Sequence, residues 1–144
     1  MAKSGISGRK AHVARLRKLA SPQTTALIGK ALYVGGDLVR TDAQISITQG
    51  SVSGRNHVPS VAPAPPNQDT GVLANNIENV LVSPEEVEVS SNAPYSAALE
   101  YGTSRMPARP FMRPALQANL KNIKQLVEKA KRAAMRQSRS SAKD

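Results

Sequence analysis

The chain has no cysteine and no tryptophan, and only one phenylalanine, three tyrosines and two histidines among its 144 residues. Without thiols it can form neither a disulfide framework nor a thiolate metal site. His12 and His57 stand far apart in sequence, which argues against a histidine-rich zinc site. With aromatics at 3%, the expected core is built from Leu, Ile, Val and Ala, and a chain of this length suits one domain. No run reaches the about 18 apolar residues of a membrane span, and residues 1–20 lack the apolar centre of an export signal. The expectation is a soluble protein with no membrane partner.

Carboxylates are scarce at the two ends. Residues 1–20 hold six Lys or Arg and no acid, and residues 105–144 hold eleven basic groups against two acidic ones. Residues 21–104 are net acidic, with eight carboxylates against three basic groups. Basic ends of this kind either contact polyanions or simply solvate exposed helix faces. Both readings stay open from charge alone.

The chemistry of known catalytic motifs is missing too. Gly50-Ser51-Val52-Ser53-Gly54 has neither the spacing nor the Lys-Ser/Thr of a phosphate-binding loop. His57, Ser60 and Asp69 make a Ser–His–Asp set on paper, but they fall in a proline-rich loop, and a triad needs rigid geometry. Glu86 and Glu88 alternate with Val87 and Val89, as the wet face of a strand does. No enzyme, cofactor or metal is expected.

What is present reads as α+β. Residues 1–20 form a basic N-terminal arm, loose over 1–8 and amphipathic for one or two turns over Lys10–Leu19. Ser21-Pro22 starts a helix, with Ser21 as cap and Pro22 at the first position. Leu27, Ala31, Val34, Leu38 and Ile45 share a face of it, and Gly35-Gly36 weakens and bends it before its end near Thr48. Residues 49–68 are a long Pro/Gly/Ser loop, because proline removes amide donors. Asp69 or Thr70 can cap the short segment that follows, Val72–Ile77, a brief helical turn or the entry to a strand. Two strands meet at Pro84-Glu85, and a short helix over Ala93–Tyr101 stops at Gly102. Leu116, Leu120, Ile123, Val127, Ala130 and Ala134 then stripe a long C-terminal helix packed on the sheet. That helix frays by Ser138, so the single domain spans 21–137 and 138–144 form a disordered tail.

Three segments carry a resemblance. Pro65-Pro66-Asn67-Gln68-Asp69-Thr70-Gly71-Val72-Leu73 resembles the signature PP-x-x-D-T-G-x-L. Tyr95-Ser96-Ala97-Ala98-Leu99-Glu100-Tyr101-Gly102-Thr103 resembles Y-A-x-x-x-E-[FY]-G-T. Ala108-Arg109-Pro110-Phe111-Met112-Arg113-Pro114-Ala115-Leu116 resembles A-R-P-F-x-x-P-A-L. In this order they are similar to the neck, or tail-component, family of long-tailed bacteriophages, related in fold to tail terminators. The likeness covers about residues 20–135. It departs at Val61–Pro66, where many relatives carry Gly-Glu before the prolines, and it does not reach the N-terminal arm.

The resemblance implies a structural virion protein: a ring at the head–tail junction, expected to be hexameric, that completes or joins the tail around the DNA channel. Its implied partners are other copies of itself and neighbouring connector and tail proteins, with non-specific contact to double-stranded DNA. It would reside in the virion, and in the host cytoplasm during assembly. The residues implied for assembly are Pro66, Asp69, Thr70, Gly71, Leu73, Tyr95, Glu100, Tyr101, Gly102, Thr103, Arg109, Pro110, Phe111 and Pro114. Among them, Glu100 is placed to hold a turn by accepting backbone amides and to pair with Arg109. These motifs either shape the monomer or form contacts between subunits. The alternatives are a basic nucleic-acid-binding module using residues 1–20 and 121–143, and a head-side connector ring with more subunits.

Overall fold

A computed structural model describes residues 8–140 and has the α+β architecture expected. Helix α1 spans Arg9–Leu19 and α2 spans Pro22–Thr48. A 3-10 turn at Gly54–Asn56 interrupts an otherwise irregular loop, which ends at the short helix α3, Val72–Asn75. Strands β1 (Ile77–Ser83) and β2 (Glu86–Ser91) form an antiparallel hairpin. Helix α4 (Ser96–Tyr101) leads to α5, Met112–Ser140. The expected looseness of residues 1–7 and disorder of 141–144 lie outside the described residues.

Helix α2 starts as its sequence dictates. The Ser21 hydroxyl accepts from the Thr24 amide at 3.3 Å, and Pro22 occupies the first turn, where a missing N–H costs little. Thr24 is buried and donates its hydroxyl to the Lys18 carbonyl at 2.8 Å, tying α1 to α2. The basic N-terminal segment is therefore more than a one- or two-turn arm. Residues 9–19 make a helix of eleven residues that packs against α5.

Helix α2 is apolar on two sides, and the side that turns inward is not the stripe of Leu27, Ala31, Val34, Leu38 and Ile45. Thr24, Gly29, Gly35, Gly36, Val39, Ala43 and Ile47 are buried. At about 100° per residue, the stripe Leu27, Ala31, Val34, Leu38 and Ile45 falls on the far side, with Val34 50% and Ile45 48% exposed. The physical reason is close approach. A Cβ on Gly35 would lie 2.8 Å from Ile123 of α5, and one on Gly36 would run into Asn79 and Val87 of the hairpin. One on Gly29 would reach the Pro84 carbonyl at 2.5 Å. The glycines that weaken α2 as an isolated helix thus let two neighbours seat against its backbone, and α2 runs through them uninterrupted.

Helix α5 rests chiefly on α2 rather than on the sheet, so α2 is the shared support of hairpin and C-terminal helix. The core of Val39, Ala43, Ile47, Leu73, Ala74, Ile77, Ala93, Phe111 and Ala115 is rich in alanine, and Phe111 and Ile47 are its largest fully enclosed side chains. Leu73 is the one leucine in it, because helices this close admit small residues better than branched ones. Ala134 of the expected α5 stripe is buried and Ile123, Val127 and Ala130 are half-buried, while Leu116 and Leu120 are 44% and 42% exposed. The helix continues through Ser138 to Ser140 instead of fraying there.

The two expected strands pair as a hairpin around the expected connection. Asn79 faces Val89 and Leu81 faces Val87 around the Pro84-Glu85 connection, with an irregularity between Leu81 and Ser83. Glu86 and Glu88 are exposed and Val87 and Val89 half-buried, as their alternation requires.

Candidate functional site

The second and third motif segments meet at one carboxylate. Glu100, near the end of α4, accepts from the amides of Phe111 at 2.9 Å, Met112 at 3.0 Å and Arg113 at 2.9 Å. The first amides of a helix have no partner within it. Glu100 satisfies three of them at the start of α5 from eleven to thirteen residues upstream, and its charge faces the positive end of the helix dipole. The expected amide-holding role of Glu100 is thus present within the monomer.

The chain between these segments is shaped to allow this. Gly102 has φ +74°, and a Cβ there would lie 2.8 Å from the Ala108 nitrogen and 3.0 Å from the Met106 oxygen. Thr103 closes the turn: its hydroxyl accepts from the Met106 amide at 3.1 Å, and its own amide donates to the Met106 carbonyl at 2.8 Å. The Arg109 amide then donates to the Leu99 carbonyl at 2.6 Å, returning the chain to α4. Pro110 precedes α5, Phe111 anchors in the core, and Pro114 sits in the first turn, where its missing N–H is harmless.

Arg109 does not pair with Glu100. The three amides already occupy that carboxylate, and the guanidinium lines a different place, a cleft of about 210 Å³. There it joins Pro66, Asp69, Thr70, Gly71 and Leu73 of the first segment and Tyr95 of the second. Seven of the fourteen motif residues therefore converge on one cleft, and its buried Arg109 Nε and Ser60 hydroxyl have no hydrogen-bond partner.

The cleft wall is the proline-rich loop, pinned to the body. Asp69 accepts from the Gly54 amide at 2.9 Å, Asn67 donates to the Val58 carbonyl at 2.8 Å, and the Gln68 amide donates to the Ile47 carbonyl at 2.9 Å. This corrects the expected cap. Asp69 reaches back to the loop, and α3 is preceded by Gly71, φ +80°, with no side-chain cap. His57, Ser60 and Asp69 all line the cleft, yet His57 Nδ1 bonds the Val52 carbonyl and Asp69 bonds the Gly54 amide. Both of those bonds go to backbone and the Ser60 hydroxyl bonds neither residue, so the three form no triad. No group of three or more His, Cys, Asp or Glu among the described residues is placed to hold a metal ion.

A second concavity, about 550 Å³ and open, has no counterpart in the sequence reading. Leu32, Val39, Val87, Val89, Met112, Leu116 and Leu120 line it, and Tyr101 stands at its side under the Arg113 guanidinium, 5.7 Å from the ring centre. The signal was present: Leu116 and Leu120 run one step off the α5 residues that meet α2. Among the described residues, no helix is long and apolar enough to cross a membrane. No protein-family model, curated protein or solved structure matches the chain.

Proposed function

We propose that this chain is a subunit of a ring at the head–tail junction of a long-tailed bacteriophage. In this reading six copies close around the DNA channel, complete or join the tail, and meet neighbouring connector and tail proteins. The protein performs no turnover and uses no cofactor. The three motif segments, in order, tie it to the neck family.

One observation carries the assembly half of the reading: the monomer has two unlike apolar surfaces that it does not itself cover. One is the outward stripe of α2 with Val34, Leu38 and Ile45; the other is the open groove beside Leu116 and Leu120. A ring closes through heterologous contacts, in which one surface meets a different surface of the next copy. Contiguous exposed apolar surface marks interaction sites more often than isolated exposed apolar residues do.

The test is the virion itself. Density around the tail axis at the neck should show this chain in six copies, and phage lacking it should accumulate heads without joined tails. Twelve copies on the head side would move the protein to the connector ring. Normal virions without it would end the reading.

A further inference from the structure

The two basic ends of the sequence meet in space. Helix α1 packs against the C-terminal part of α5, and Arg15, Lys18 and Arg139 line one small cleft between them. Residues 9–19 carry five Lys or Arg and no carboxylate; residues 121–140 carry seven and only Glu128, which pairs with Lys131 at 3.0 Å. All twelve cations are exposed. The rest of the described chain holds more carboxylates than cations, so the molecule is electrically polar, with its positive charge gathered on this ridge.

We propose that the α1–α5 ridge is a binding surface for the phosphate backbone of duplex DNA, indifferent to sequence. The shape fits a linear polyanion. From Lys121 to Arg139 the helix rises about 27 Å at 1.5 Å per residue, and duplex DNA presents one charge per about 1.7 Å of axis. Neither stretch contains Phe, Tyr or Trp, and His12 is the one ring in either, so the ridge lacks a row of rings on which successive single-stranded bases could stack. It lacks equally the Trp and Tyr anchors that dominate protein interfaces. Charge along a line, without a reader and without an anchor, describes contact with phosphates. This inference rests on charge placement in one copy and holds whether or not copies form a ring.

Fluorescence anisotropy with a 24-base-pair duplex of mixed sequence, titrated from about 50 to 300 mM salt, tests it. Contact with five phosphates gives a slope of about −4.5 in log affinity against log salt, at about 0.9 for each phosphate. Substituting Lys121, Lys124 and Lys129 with Gln should flatten that slope by two or more. Substituting Arg9, Lys10 and Arg15 with Gln should flatten it too, since both helices contribute. Removing three exposed cations elsewhere, Lys30, Arg55 and Arg105, should leave it unchanged, with helicity by circular dichroism equal in all variants. Equal flattening by the remote triple would reduce the effect to net charge and overturn the proposal, as would an effect from only one of the two ridge triples. Polyglutamate that displaces the duplex at lower charge concentration than unlabelled DNA would assign the ridge to an acidic protein instead.

Discussion

Asn119 of α5 donates its amide to the Asp42 carboxylate of α2 at 2.6 Å, and to its own helix at the Ala115 carbonyl at 2.9 Å. Asn119 is buried between two helices that otherwise meet through apolar side chains and glycine. Its bond fixes which turn of α5 lies against which turn of α2, which alanines alone would specify weakly. Asn119→Ala should cost about 1–2 kcal/mol, a charged hydrogen bond lost from a buried site. A double-mutant cycle with Asp42→Ala in urea denaturation should return a coupling near 1 kcal/mol; additive losses would show the pair to be incidental.

Glu100→Ala should destabilise the isolated monomer by about 2 kcal/mol, because three amides at the start of α5 lose a charged acceptor together. Glu100→Gln, which keeps one acceptor oxygen, should recover part of that loss. Thermal unfolding followed by circular dichroism separates the variants. Unchanged melting combined with failed virion assembly would move the role of Glu100 from the monomer to the subunit interface.

Gly29→Ala and Gly36→Ala improve helix propensity by about 1 kcal/mol each, yet both should destabilise. The first drives a methyl into the Pro84 carbonyl. The second displaces Asn79, whose side chain donates to the Tyr33 carbonyl at 2.9 Å. Overpacking of this kind costs about 1–3 kcal/mol, and lower denaturation midpoints in both variants are the expected outcome. A raised midpoint in either would mean that the hairpin moves away from α2 at little cost.

Gly102→Val combines a positive φ with two backbone collisions, so its expected cost is about 1–3 kcal/mol or more. Gly50 offers the comparison, since it also has positive φ, +73°, but nothing stands near its missing side chain. Gly50→Val should therefore cost less than Gly102→Val in the same denaturation experiment. Equal costs would trace the requirement to φ alone.

Much of this fold is readable before any coordinates exist, where one residue type has one physical use. Ser21-Pro22 can hardly do other than start a helix, alternating Val and Glu make a strand, and Gly102 ends α4. That Glu100 accepts backbone amides was legible from its place before a Gly-Thr turn, but which amides was not, because the helix start it holds lies eleven to thirteen residues further on. The buried face of α2 was not legible. Hydrophobic periodicity finds Leu27, Val34, Leu38 and Ile45, and that pattern is real, but it lies on the outside. The inner line has apolar residues of its own, Val39, Ala43 and Ile47, but Gly29, Gly35 and Gly36 add no hydrophobic signal to it, so it stands out less than the outer stripe. Asp69 misled for a related reason: a cap and a long-range loop clasp use the same side chain, and only the path of residues 49–68 decides between them.

The glycine-lined interior of α2 has a consequence for how this chain can change over time. A helix buried on one side tolerates drift on the other, whereas α2 is committed on both: its inner strip admits no added carbon, and its outer strip is apolar. A single inserted residue between Gly36 and Asp37 would turn everything beyond it by about 100°. It would carry Ala43 and Ile47 out of the core and swing Leu38 and Ile45 off the outer line in the same step. Length in α2 is therefore far less free to vary than in the proline-rich loop that follows it, and insertions or deletions in descendants of this sequence should collect between residues 49 and 65.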